Sequence, residues 1–165
     1  MKVRSSTPTR KKVVVLLLDL TPLKGYLNPA TLPSTDSIDL LTPDGEHQAV
    51  SASEIKAIYF VDDLNLPYEP ERKSFLSRPK LEGLWLKLTF RDRDTLEGIV
   101  VNELLEILDR GIQFIPPDLH GNCSRVYVPR SALTEVKVLG VVGAAKRISR
   151  AAAVSVPAQP KLFEE

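Results

Sequence analysis

Cysteine, histidine and glycine are scarce in this chain of 165 residues, and each scarcity removes a class of function. The single thiol, Cys123, excludes an internal disulfide and any cysteine-rich zinc site, and it fits a reducing compartment. The only other soft metal ligands are His47 and His120. His120 stands three positions before Cys123, but no second pair follows to complete a coordination sphere. The eight glycines are isolated from one another, so no glycine-rich phosphate cradle exists. No long hydrophobic run exists either. Val13–Leu18 ends at Asp19 after six residues, too short to span a membrane, and no small-residue cleavage site follows it. A cytoplasmic protein is expected. Nor is there an excess of one charge: 22 basic and 21 acidic side chains leave a formal +1, which gives no general attraction to nucleic acid or an anionic surface.

What the chain has in quantity is proline, thirteen residues of it. Between Pro22 and Pro129 the prolines leave Leu81–Ile115 as the one window long enough for an amphipathic helix. That window alternates as strands do, with Leu84, Leu86, Leu88 and Phe90 on one face. A mainly β protein is therefore expected, with short helical turns only. Lys12–Leu20 reads as a strand buried on both faces or a barrel strand. It is followed by strands at Leu23–Leu27, Ile38–Leu41, Gln48–Ser51 and Ala57–Val61. Pro43-Asp44-Gly45 is a strong turn signal. After a proline-rich connecting arm the second series runs through Leu84–Phe90, Leu96–Val100, Ile112–Ile115, Val126–Val128 and Glu135–Val141. Glu103–Asp109 is ambiguous between a helical turn and a bent strand.

The two series match in type, which is an internal repeat. Leu23-Lys24-Gly25-Tyr26-Leu27 recurs as Leu96-Glu97-Gly98-Ile99-Val100, a displacement of 73 residues, and Ser53 recurs as Ser131, a displacement of 78. The expected organisation is a flexible basic tail over 1–12, a first β-barrel repeat over 13–62, a connecting arm over 63–83, a second β-barrel repeat over 84–142, and a tail over 143–165 with a short helix. Each repeat is of a size at which a lone core is marginal, so the two barrels should pack together, with Tyr59, Phe60 and Trp85 at or near the junction.

The strand-turn-strand pattern around Gly25 and Gly98 resembles the first motif of Sm-like and SH3-like small barrels. That resemblance implies a tandem duplication of a five-stranded barrel. A second resemblance rests on Ile55–Val61 followed by Asp62-Asp63, and on Pro116-Pro117-Asp118 with Asn122 through Val128, Arg130 and Ala132. These segments look like an uncharacterised family of bacterial domains attached to PilZ and response-regulator signalling proteins, with Cys123 where that family usually shows a second asparagine. It implies a regulatory or accessory setting. The cyclic-dinucleotide motif of PilZ proper is absent, because Arg72 and Arg78 are not spaced Arg-x-x-x-Arg.

No constellation for catalysis is evident: Asp62-Asp63 and Asp92/Asp94 read as turn and strand-end residues without a convergent partner. No cofactor is expected. The candidate partner- or anion-binding residues are Asp118, Asn122, Arg125 and Arg130. Arginine can hold an anion or a partner's backbone, whereas Asp and Asn can equally cap the long loop from within. The leading expectation is a non-enzymatic regulatory or scaffolding module that binds another protein. The alternative is a nucleic-acid-binding Sm-like module using Arg91, Arg93, Arg110, Arg125 and Arg130.

Overall fold

A computed structural model describes residues 9–32, 36–103, 105 and 109–143. The basic arm over 1–8, most of the ambiguous 103–109 stretch and the expected helix in the tail lie outside the described residues. Ten strands follow in order: β1 (Lys11–Leu17), β2 (Pro22–Leu27), β3 (Ser37–Leu41), β4 (His47–Ser51), β5 (Ile55–Val61), β6 (Gly83–Phe90), β7 (Thr95–Val100), β8 (Gly111–Phe114), β9 (Cys123–Pro129) and β10 (Leu133–Val142). The helical content among the described elements is three single 3-10 turns, at Pro29–Thr31, Ala52–Glu54 and Arg130–Ala132. No helix among the described residues is long and apolar enough to cross a membrane.

The strands form two antiparallel sheets, one of seven in the order β4-β3-β2-β1-β5-β9-β8 and one of three in the order β10-β6-β7. Neither closes. The sheets also do not divide where the repeat does, because β8 and β9 join the sheet of the first series through β5, with Ile58 opposite Tyr127 and Tyr59 opposite Val126. Two separate five-stranded barrels were the expectation from sequence. Instead β5 is shared, with β1 on one side and β9 on the other, and all seven of its residues are buried.

Within this arrangement the two series trace the same path. The Val13–Phe60 pair between β1 and β5 recurs as Leu86–Val138 between β6 and β10. The Leu17–Ile55 pair recurs as Phe90–Leu133, and each lies beyond a register shift. The lone pair Tyr26–Leu41 joining β2 to β3 recurs as the lone bridge Ile99–Ile115 between β7 and β8. Leu20 and Arg93 hold the same turn with φ of 70° and 71°, a left-handed conformation that side chains other than glycine rarely adopt. Asp19 and Asp92 each accept the main-chain N–H two residues on, at 3.0 and 3.1 Å. The two glycines do the same work. A Cβ on Gly25 would collide with the Leu41 carbonyl and the Leu40 side chain, and one on Gly98 with the Phe114 ring, so glycine lets the next strand cross close over the bend.

The core follows from β1 and β5 being apolar on both faces. Val13, Val15, Ile58 and Phe60 face a cluster with Leu27, Ile38, Leu40 and Val50. Val14, Leu16, Ala57, Tyr59 and Val61 face the other way, into a cluster with Leu86, Leu88, Phe90, Phe114, Val126 and Val128. Burial of a large aliphatic side chain stabilises by about 1.5–3 kcal/mol, so this double-faced pair of strands is the main tie between the halves. Residues 62–82, between β5 and β6, contain no strand or helix. Trp85 is not at the junction of the halves. It sits edge-on to Phe75 of the arm at 6.2 Å and donates its indole N–H to Glu97 at 3.0 Å.

Candidate functional site

The four residues singled out from sequence do not converge. Asn122 is committed to structure: its main-chain carbonyl accepts from the Asp62 N–H at 3.0 Å, and its side-chain oxygen accepts from the Asp63 N–H at 2.8 Å. Its amide then donates to the carbonyls of Asp63 at 2.8 Å and Pro67 at 3.1 Å. With a longer bond to the Leu66 carbonyl at 3.5 Å, five bonds to a segment far off in sequence make Asn122 a clamp on the start of the arm. Asp118 is half-buried beneath Gly121, where a Cβ would meet its carboxylate. Arg125 is exposed on β9 and borders a cleft of about 300 Å³ in the gap between β7 and β8, with Ile99, Val100, Gln113, Phe114 and Glu82. It does not span the loop as a structural arginine would.

Arg130 lies elsewhere, on the 3-10 turn after β9, at the rim of a groove of about 290 Å³. The floor is apolar: Leu32, Ile38, Ile55, Ile58, Tyr127 and Pro129. Arg110 and Asp36 share the rim, joined by a 3.2 Å ion pair between exposed side chains, which contributes little to stability. The Arg130 N–H donates to the Arg110 carbonyl at 2.9 Å, so the main chains of the two arginines lie side by side at this rim. Among the described residues Arg130 makes no ion pair. An apolar floor rimmed by Arg130 and by the Arg110–Asp36 pair suits a chain segment that is apolar in the middle and carries a carboxylate where it meets Arg130.

A charged cluster that sequence reasoning passed over lies at the seam between the halves. Lys56, in the apolar run of β5, has 6% of its side chain exposed and donates to Asp92 at 2.7 Å and Asp94 at 3.2 Å. Its ammonium sits 4.9 Å from the centre of the Phe90 ring. Lys73, from the arm, donates to the other oxygen of Asp94 at 2.6 Å. Asp92 and Asp94, read from sequence as turn residues without a partner, thus have one, supplied by the opposite half. Burial pulls the Lys56 pKa down, but the two carboxylates outweigh it and hold it above the ordinary value. The Lys56 hydrogen bond lowers Asp92 below the usual carboxylate range. For Asp94, burial pushes up and the bonds from Lys73 and Lys56 prevail, again lowering it. A fully paired cluster of this kind fixes one half against the other and leaves no carboxylate poised to accept a substrate proton.

Cys123 is buried, and burial pushes its thiol up to about 12. Its Sγ lies 3.1 Å from the Arg125 carbonyl. Such a thiol is neutral at physiological pH and a poor nucleophile. Burial also raises Tyr59 strongly. No group of three His, Cys, Asp or Glu side chains among the described residues is placed to hold a metal ion.

Fold and surface together define a mainly β protein of two antiparallel sheets, with an ion cluster joining Lys56 of β5 to the turn before β7. The model of a family of unknown function, DUF6982, matches residues 9–140, and the chain belongs to that family. No curated protein and no solved structure matches it.

Proposed function

We propose that the protein is a non-enzymatic regulatory or scaffolding module, a tandem duplication of a five-stranded SH3-like or Sm-like unit, that binds another protein in bacterial signalling. The observation that carries this reading is the Arg110–Arg130 groove, whose apolar floor and arginine-bearing rim fit an extended segment that carries a carboxylate. The signalling setting rests on the resemblance carried by Ile55–Asp63 and Pro116–Ala132. The non-enzymatic part is supported by the neutral Cys123 thiol and by the mutual pairing of Lys56, Asp92, Asp94 and Lys73, which leaves these groups engaged with one another.

Capture from a native lysate, with and without nuclease, tests the proposal. The expected result is a protein partner retained after nuclease treatment and lost with Arg110→Ala/Arg130→Ala, at unchanged melting temperature. Retention of that partner by the double variant would refute the groove. The adjacency of Arg110 and Arg130 also favours the second reading, nucleic-acid binding. In that case capture disappears with nuclease, and binding to RNA or DNA falls steeply with added salt.

A further inference from the structure

The strand pairing at the centre of the molecule is used once and left open once. Strand β5 pairs with β1 on one side and β9 on the other. Its counterpart β10 pairs with β6 alone among the described residues, and Val138 and Val141 on it are 52% and 45% exposed. Likewise β9 pairs with β8 and β5, whereas among the described residues its counterpart β4 pairs with β3 alone. Among the described residues the open edges are therefore the counterparts of the two strands that join the halves. Apart from the Val141 carbonyl, which accepts from Arg78, the outer edge of this ten-residue strand is a template for another strand.

We propose that β10 of one chain pairs antiparallel with β4 of a second copy, in the register that β5 and β9 adopt within the chain. The Ile58–Tyr127, Tyr59–Val126 and Phe60–Arg125 pairs then recur between chains as Val136–Ala49, Lys137–Gln48 and Val138–His47. The ends of the pairing carry over too. Asn122 caps the end of β5 by donating to the Asp63 carbonyl. The counterpart of Asn122 is Asp44 and that of Asp63 is Val141, whose carbonyl already accepts from Arg78 at 2.7 Å. A second copy brings the Asp44 carboxylate to that guanidinium, an Arg–carboxylate contact in place of the amide. Beside it, the turn holding Asp19, counterpart of the Asp92 turn that packs on β5, covers the face carrying Lys87 and Lys137.

That face is polar where the internal one is apolar, so the contact between chains is weaker than the contact within one and is screened by salt. Each chain offers one β4 and one β10. The interface is heterologous, and assembly runs head to tail, into a ring if the rotation closes and a filament if it does not. This inference goes beyond the protein-partner reading and does not depend on the Arg110–Arg130 groove.

Sedimentation of the full chain across concentration and salt is the test. The expected result is reversible association above the 18.3 kDa monomer that weakens with salt. Gln48→Lys, which sets like charges opposite Lys137, weakens it about two- to fivefold, and Gln48→Lys/Lys137→Glu restores it. Both positions are exposed, so melting temperature should hold. As a second readout, Gln48→Cys/Lys137→Cys forms interchain disulfides on oxidation, while Gln48→Cys/Glu135→Cys, two residues out of register, does not. A chain that stays at 18.3 kDa in every condition, an oligomer indifferent to the Gln48 charge, or equal cross-linking by both cysteine pairs overturns the proposal.

Discussion

Replacing Lys56 by methionine tests whether the ion cluster at the seam stabilises the fold or merely survives in it. The change keeps the length of the side chain and its contact with Phe90 but removes the charge. Two hydrogen bonds to carboxylates are lost, at 2.7 and 3.2 Å. Charged hydrogen bonds of this kind contribute about 1.5–3 kcal/mol each at full strength. Solvent reduces that here, because Asp92 and Asp94 are 42% and 34% exposed and Asp94 keeps Lys73. Against the loss stands the relief of no longer burying an ammonium. The bonds should win, and Lys56→Met should cost about 2 kcal/mol in urea unfolding, or about 4–8 °C in melting temperature for a chain of this size. A double-mutant cycle with Asp92→Asn should show about 1 kcal/mol of coupling. If Lys56→Met proves as stable as the parent, the desolvation cost equals the pairing and the cluster specifies geometry without adding stability.

The same cluster makes stability depend on acid. Asp92 and Asp94 are held below the ordinary value of 3.8, so their contribution is present above about pH 4 and is lost as pH falls through the lowered values. Urea midpoints between pH 6 and 2 should fall less steeply in Lys56→Met than in the parent. At the alkaline end, Cys123 ionises near 9 when unfolded and about 12 when folded, so its share of stability is lost as pH rises across that interval. Cys123→Ala should flatten the midpoint there. Asn122→Ala should cost about 1–2 kcal/mol and raise amide exchange at Asp63 before the sheets open. Gly98→Ala should cost about 1–3 kcal/mol by forcing the Phe114 ring aside, and pairing it with a smaller residue at 114 should recover part of the loss. An unchanged melting temperature in Gly98→Ala would mean the bend at β7 does not need the close approach.

Local pattern carried most of the fold into view. Alternation marks β6, the glycines at 25 and 98 mark the bends, and Pro43-Asp44-Gly45 marks the β3–β4 turn, because each depends on neighbours in sequence. What the sequence left hidden depends on partners far away. Nothing local says that β5 takes β9 as its second neighbour, so the expectation of two barrels missed the shared strand. Asn122 reads as a residue that caps its own loop, yet its bonds go to residues 62–67. Arg125 and Arg130, close in sequence, border a cleft and a groove that share no lining residue. Lys56 did carry a signal, a lone lysine inside an otherwise apolar strand, which asks for a carboxylate as soon as that strand is known to be central.

Comparing the outer faces of the two series explains why the halves stay together. On β1 and β5 the residues facing the second series are Val14, Leu16, Ala57, Tyr59 and Val61, all buried. Their counterparts on β6 and β10 are Lys87, Thr89, Glu135, Lys137 and Leu139. The first series therefore carries an apolar face that only the second can cover, and removing the cover exposes several large side chains at about 1.5–3 kcal/mol each. The total is comparable to the whole stability of a domain, about 5–15 kcal/mol. A fragment of residues 9–62 should accordingly fail to fold as a monomer, and the second series alone would uncover Leu86, Leu88, Phe90, Phe114, Val126 and Val128 and lose the β5 edge beside β9. Dispersed amide spectra from an isolated, monomeric 9–62 fragment would refute this account.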